Sequence, residues 1–307
     1  MDIQFFGATG QVTGLCYLVR VREHRILLEC GLIQGRQEDE DRNREPFPFD
    51  ASAIDAVVLS HAHIDHSGRL PLLMKQGFTG PIYTHQATRA LCAIMLRDSG
   101  YLHAKDAEWT NRKRRRQGLP LLTPLYTLED GEAVLGQFRG LAYGQRREIL
   151  PDISIRLRNA GHILGAAIVE LWLEEDGRVC KLVFSGDLGF VDAPVMPDPE
   201  VVDEADIVLL ESTYGDRRHR GASRIGILGE EIRVNARIHT VGGLSAHADQ
   251  PGLVAWYREF AGSPPVYLIH GEPEAQTALA EVIETETGRK PTIPSFGDRL
   301  DLRRLSG

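Results

Sequence analysis

Cysteine is scarce in this 307-residue chain: there are four, Cys16, Cys30, Cys92 and Cys180, and no CxxC pair among them. Such scattered spacing offers neither the disulfide framework of a small secreted domain nor a cysteine-rich zinc site. Three of the four stand in apolar stretches, where a cysteine serves as a small buried hydrophobe. Long apolar runs are also missing, so nothing approaches the roughly 20 residues a membrane-crossing helix needs. The opening MDIQFF has neither the basic start nor the apolar stretch of a secretory leader. A soluble cytoplasmic protein is therefore expected. Positive charge is not in excess, with 35 lysines and arginines against 43 aspartates and glutamates, a net charge of −8. The molecule as a whole does not attract nucleic acid, although a local basic surface stays open because binding responds to the nearby field. No internal repeat and no low-complexity tract interrupts the chain.

What is present is ordinary globular material, 42% apolar and 25% charged, enough for one large α/β domain or two modest ones. Short β-branched or aromatic segments at 3–6, 16–22 and 25–29, punctuated by glycines, read as strands. Residues 36–44 read as a charged loop, and Pro46 and Pro48 keep the chain after it extended. The run AVVLS at 56–60 has the continuous apolar character of a strand buried on both faces. A helix is expected over 67–76, ended by Gly77, then a strand at 81–84 and a helix over 86–97. Strands follow at 153–159, 167–174, 180–185, 207–211 and 265–270, and a helix at 274–287. Two strand-rich halves, each carrying helices, predict a four-layer αββα sandwich of class α/β.

The densest chemistry follows the strand at 56–60. In His61-Ala62-His63-Ile64-Asp65-His66, extended alternation points His61, His63 and Asp65 to one side, and the turn into the next helix brings His66 round. Imidazole nitrogens and carboxylate oxygens suit Zn²⁺. Further candidates stand at strand ends beside glycine: His162 in AGHILGA, Asp187 in FSGDLG and His270 in YLIHGE. Glycine there lets the backbone turn closely around an ion.

The order HxHxDH, GH, SGD, HGE resembles the metallo-β-lactamase superfamily. GATGQVTG, CGLIQG, SHAHIDHSGRLP, ESTYGDRRHR and GGLSAHAD narrow the resemblance to the β-CASP nucleases of the ribonuclease J and mRNA 3′-end processing type. It runs over nearly all of residues 1–219 and 229–272. The resemblance implies two zinc ions per chain, one held by His61, His63 and His162 and the other by Asp65, His66 and His270, with Asp187 bridging. It also implies RNA, single-stranded, as substrate. Catalytic roles fall to Asp65 and to Glu211 and His247, the last two as a carboxylate–imidazolium general acid protonating the leaving sugar oxygen. Asp249 is a further acceptor candidate behind the site.

Two departures stand out against the family pattern. Where members carry aspartate, this chain has Glu29 in LLECG, one methylene longer. Members also insert a whole α/β domain between ESTYGD and GGLSAHAD, whereas here the short stretch 216–242 spans the gap. The expectation is one metallo-β-lactamase-type domain over 1–307 with 217–229 a junction: either a natural short form or one whose insert was removed. The basic run Arg112, Lys113, Arg114, Arg115, Arg116, with Arg146 and Arg147, reads equally as a solvated helix face and as a phosphate-tracking patch. Three functions compete. A zinc ribonuclease leads, or a lid-less form of one with little nuclease activity, ahead of a thioester or lactone hydrolase of the same fold and a scaffold subunit without catalysis; the intact set of ligand-type residues disfavours the last. Oligomeric state is open, with a homodimer allowed.

Overall fold

The computed structural model describes residues 1–193, 195–218, 224–227, 230–233 and 247–304. The first sheet contains β1 (Asp2–Phe5), β2 (Tyr17–Val21), β3 (His24–Leu28), β4 (Ala56–Val58), β5 (Ile82–His85) and β6 (Phe138–Leu141) in that order. The second contains β7 (Arg147–Leu150), β8 (Ile153–Asn159), β9 (Ala167–Glu175), β10 (Arg178–Phe184) and β11 (Ile207–Glu211). A separate hairpin pairs β12 (Arg224–Ile227) with β13 (Glu230–Arg233), inside and just beyond the junction expected at 217–229. Finally β14 (Val266–Ile269) lies beside β11 and closes the second sheet, while β15 (Arg299–Asp301) lies beside β1 and closes the first. The helices are α1 (Gln37–Asp41), α2 (Ile64–Ser67), α3 (Leu70–Lys75), α4 (Gln86–Arg116), α5 (Leu128–Ala133), α6 (Gln250–Arg258) and α7 (Pro273–Thr287).

Three apolar clusters establish four layers. Between the sheets pack Val19, Ile26, Leu28 and Val58 from one side and Leu171, Leu182, Phe184 and Leu209 from the other. Alternate residues of the same strands face outward. Leu18, Leu27 and Val57 meet Leu70, Leu73, Cys92 and Leu96 of α3 and α4. Val183, Val208 and Leu210 meet Leu253, Tyr257, Leu279 and Ile283 of α6 and α7. Period-two side chains with apolar partners on both faces explain why the central strands are continuous apolar runs. Both sheets are mixed: β3, β4, β5 and β6 run parallel, as do β10, β11 and β14. The C-terminal ends of these parallel strands carry the chemistry, as in other open α/β sheets.

Three expectations need correction. The helix expected over 67–76 is two short helices, α2 and α3, broken at Gly68–Arg69. There Arg69 turns inward to donate its backbone N–H to Cys30 O (2.8 Å) and its Nε–H to Gly31 O (2.5 Å). The loop expected at 36–44 holds the single-turn helix α1. The helix expected over 86–97 continues to Arg116, 31 residues in all.

Candidate metal centre

The histidine loop leaves β4 and is clamped from behind by the segments that follow β3 and precede β2. Cys30 N–H donates to His66 O (2.8 Å) and Leu15 N–H to Asp65 O (3.0 Å). This approach is so close that a Cβ on Gly31 would meet Asp65 O at 1.5 Å. Only glycine fits there. A second tight crossing joins the loops of His162 and Asp187, where a Cβ on Gly189 would meet Gly161 O at 2.0 Å.

These crossings bring all seven residues expected to hold metal into one cluster. Ligand atoms of His61, His63, His162 and Asp187 lie within 4.8 Å of one another, as do those of Asp65, His66 and His270. Asp187 stands between the two groups and gives one oxygen to each. Its Oδ2 lies 3.3 Å from His61 Nε2 and 3.5 Å from His162 Nε2. Its Oδ1 lies 3.2 Å from His66 Nε2 and 3.1 Å from His270 Nε2. His66 Nε2, Asp187 Oδ1 and His270 Nε2 are buried and have no hydrogen-bond partner among the described residues. Native interiors rarely leave such groups unsatisfied, and three converging on one point fit a cation there.

The far sides of three rings are held. His61 Nδ1 meets Ser60 Oγ at 3.0 Å, and His66 Nδ1 meets Glu29 Oε2 at 2.9 Å. His270 Nδ1 meets the carbonyl of Val12. Partners of this kind fix the orientation of a metal-binding imidazole. Glu29 uses its extra methylene to reach two groups, since Oε1 accepts from Ser60 N–H at 2.7 Å. Glu29 and His270 also carry positive φ, 64° and 55°. These are strained backbone positions of the kind that concentrate at functional sites.

Burial, the largest influence on each histidine, depresses His61 well below the usual imidazole range and His162 to about 4. Such rings are neutral near pH 7, the form that binds metal. For His66 and His270 burial acts in the same direction, but the Asp187 charge overcomes it and raises both. Asp187 would be raised by burial, yet the surrounding histidines, His66 foremost, hold it well below the usual carboxylate range.

Glu211 and His247 adjoin this cluster. Glu211 ends β11, fully buried, with Oε1 accepting from Leu188 N–H (2.6 Å) and Oε2 2.8 Å from His247 Nδ1. His247 Nε2 then lies 3.7 Å from Asp187 Oδ2. Burial would lower the His247 pKa, but the Glu211 charge, with that of Asp187, raises it to about 9. The rest of GGLSAHAD before His247 lies outside the described residues, as do residues 219–223 and 228–229 of the junction. Asp249 stands at the start of α6, where Oδ1 accepts from Gly252 N–H at 3.1 Å, so it caps that helix.

The basic run 112–116 occupies the far end of α4, about 39 Å along the helix axis from Gln86 at 1.5 Å per residue. Arg146 instead lies over the Trp172 ring, 4.2 Å from its centroid. Sequence reasoning did not find Ser60 or the Val12 carbonyl. A hydroxyl preceding HxH gave only a weak signal, and a backbone carbonyl 258 positions from its histidine gave none.

Two stacked sheets flanked by helices, with this His/Asp cluster at the strand ends, define a metallo-hydrolase of the metallo-β-lactamase type. Residues 9–230 match the family described as "Metallo-beta-lactamase superfamily", and the chain belongs to it. Residues 231–294, which carry His247 and His270, match a "Zn-dependent metallo-hydrolase RNA specificity domain". The cluster is thus assembled from both matched stretches.

Among curated relatives, "Ribonuclease TTHA0252" of Thermus thermophilus is 42% identical over 220 residues, 72% of this chain and 45% of that protein. The "RNase J-like protein" of Methanocaldococcus jannaschii is 31% identical over 214 residues, covering 69% and 42%. "Transcription termination factor FttA" of Methanococcus maripaludis is 34% identical over 219 residues, covering 69% and 31%. The matches thus span less than half the length of these relatives. The solved metallo-β-lactamase fold protein YhfI from Bacillus subtilis covers 97% of this chain and 98% of its own, with a TM-score of 0.57 at 17% identity, a likeness of fold. No described helix is long and apolar enough to cross a membrane.

Proposed function

We propose that this chain is a zinc-dependent phosphodiester hydrolase acting on single-stranded RNA. The observation that carries the reading is the divided Asp187 carboxylate, with one oxygen toward His61 and His162 and the other toward His66 and His270. In this reading His61, His63 and His162 hold one ion, Asp65, His66 and His270 the other, and Asp187 both. Bound there, the pair supplies Lewis acidity toward a phosphoryl oxygen and makes water nucleophilic near neutral pH.

The chain's own groups handle the protons. Asp65, half-buried at the cluster's edge, accepts the proton of the attacking water. His247, oriented by Glu211, donates its Nε2 proton to the sugar oxygen as the P–O bond breaks and the new P–O bond forms. The match to an RNA specificity domain and the names of the relatives support RNA over a small ester. Residues 1–307 act in this reading as one hydrolase unit with 217–229 as its junction.

Metal analysis by mass spectrometry, with cleavage of a 5′-labelled single-stranded RNA with and without chelator, tests this. Two zincs per chain and chelator-sensitive cleavage are expected. His247→Ala should retain both metals and slow cleavage about 10²- to 10⁴-fold. Two metals with no RNA cleavage, but hydrolysis of a thioester or lactone, would replace RNA by a small-molecule substrate.

A further inference from the structure

A small cavity of about 280 Å³ opens where the loop after β1 meets the start of α7, and none of the proposed chemistry uses it. Gly10 forms one wall, Pro273 and Gln276 of α7 a second, and Pro294 and Phe296 a third. The walls meet closely, since a Cβ on Gly10 would stand 4.0 Å from Pro273 Cγ. Counted along the chain, Gly10 is at most about 8 Å from Val12 and Pro273 about 11 Å from His270, Cα to Cα. The Val12 carbonyl in turn holds His270 Nδ1, so the cavity adjoins the metal centre.

Its floor holds an unpaired acceptor. Gln276 is fully buried, and its Nε2–H donates to Leu268 O (3.2 Å). That bond fixes the amide's orientation, because the reverse would set two oxygens against each other. Oε1 is left without a hydrogen-bond partner among the described residues. Native interiors rarely leave such an acceptor unsatisfied, and it calls for a donor. The walls suit something flat and apolar. Phe296 is 55% exposed, with one side held by Phe6 in an edge-to-face contact at 5.9 Å, and its remaining surface is open for stacking. The start of α7 would attract an anion, but exposed Glu272 and Glu274 flank it and oppose one.

Given the ribonuclease reading, on which this rests, we infer that the cavity receives an unpaired nucleobase bearing an exocyclic amine, from the RNA strand cleaved at the metal centre. The amine of adenine, cytosine or guanine donates to Gln276 Oε1, and the ring stacks on Phe296. Uracil has no amine and would leave the acceptor unpaired. Phosphates of the same strand go to the cation-binding cluster, not to the glutamates at the cavity mouth. Gln276 and Phe296 thus give the hydrolase a choice of base near the cleaved bond.

Nucleosides test the cavity apart from cleavage, because they contain no phosphodiester. The zinc-loaded full chain is titrated with adenosine and with purine riboside, which lacks only the exocyclic amine, and binding is followed by ligand-observed NMR. Adenosine should bind about tenfold more tightly, the contribution of one such hydrogen bond. Gln276→Leu should erase that difference. Phe296→Ala, at an exposed side chain that folding does not need, should weaken both nucleosides about tenfold. Should Gln276→Leu fail to fold by circular dichroism, Phe296→Ala and the nucleoside pair on the parent decide. Equal binding of the two nucleosides to the parent overturns the inference, as does a preference that survives Gln276→Leu or affinities unmoved by Phe296→Ala. Chelator-sensitive RNA cleavage in that case keeps the ribonuclease reading without the cavity. A chain that prefers adenosine but cuts no RNA would instead overturn the ribonuclease reading, and with it the assignment of the cavity to an RNA base.

Discussion

Glu29 reaches further than the aspartate of the family pattern, and the extra methylene carries one oxygen to Ser60 N–H and the other to His66 Nδ1. Removing it in Glu29→Ala frees the His66 ring and leaves a buried N–H without an acceptor. The expected result is a 10- to 100-fold loss of metal affinity, measured by competition with a chromogenic chelator. His247 allows a sharper test. Burial would depress it, but Glu211 and Asp187 raise it to about 9, so the ring stays protonated and able to donate until pH rises through that value. Cleavage should therefore decline on the alkaline side. Glu211→Gln removes the largest raising influence and should move that decline to lower pH. A pH–rate profile with an unmoved alkaline limb would separate the two residues' roles. At this scale the sequence was informative where residues are consecutive: HxHxDH placed four candidate donors in six positions. It was silent on which Asp187 oxygen faces which histidines, because Asp187 and these partners come from four separate loops.

Strand positions were legible because apolar runs with turn residues at their ends leave few alternatives, and β8 and β11 have the ends the sequence predicted. The second half of α4 was not legible. Between Asp98 and Arg116 only Gly100 and Ala107 are buried, so no apolar period marks the helix. Its support is partly local, from Glu108 paired with Lys105 and Arg112, and partly tertiary, from Gly100, where a Cβ would meet Thr127 O at 2.3 Å. The second sheet carries its own electrostatic device on β8, β9 and β10. Glu170 is fully buried and bound by Arg156 (2.5 Å), Lys181 (2.9 Å) and Arg158 (3.0 Å). Burial would raise its pKa, but these cations, Arg156 first, bring it from 4.5 to about 2. A depressed carboxylate stabilises the fold fully above its unfolded value and loses that contribution as pH falls through the folded one. Glu170→Gln should therefore cost about 3 kcal/mol near pH 7. Its stability should also fall less steeply than the parent's between pH 4.5 and about 2, as followed by urea unfolding.

For the whole molecule, the cluster couples binding to folding. Its donors come from the ends of strands in both sheets, so a bound ion ties the two layers together and the unfolded chain cannot reproduce the site. Zinc at 100 times its dissociation constant should stabilise the fold by about 2.7 kcal/mol per site. That raises the melting temperature by on the order of 5 °C, and chelator should reverse it in a calorimetric scan. An unchanged melting temperature would disconnect the cluster from metal. The sequence by itself determined the four layers and the residue types of the site. Both are written locally, in the apolar alternation of each strand and in short motifs at strand ends. Only the tertiary structure decided that Asp187 stands between the two histidine sets, that Val12 orients His270, and that Gly10, Gln276 and Phe296 line one cavity. Each of these depends on the distance between chain segments far apart in sequence, which packing sets and no local pattern encodes.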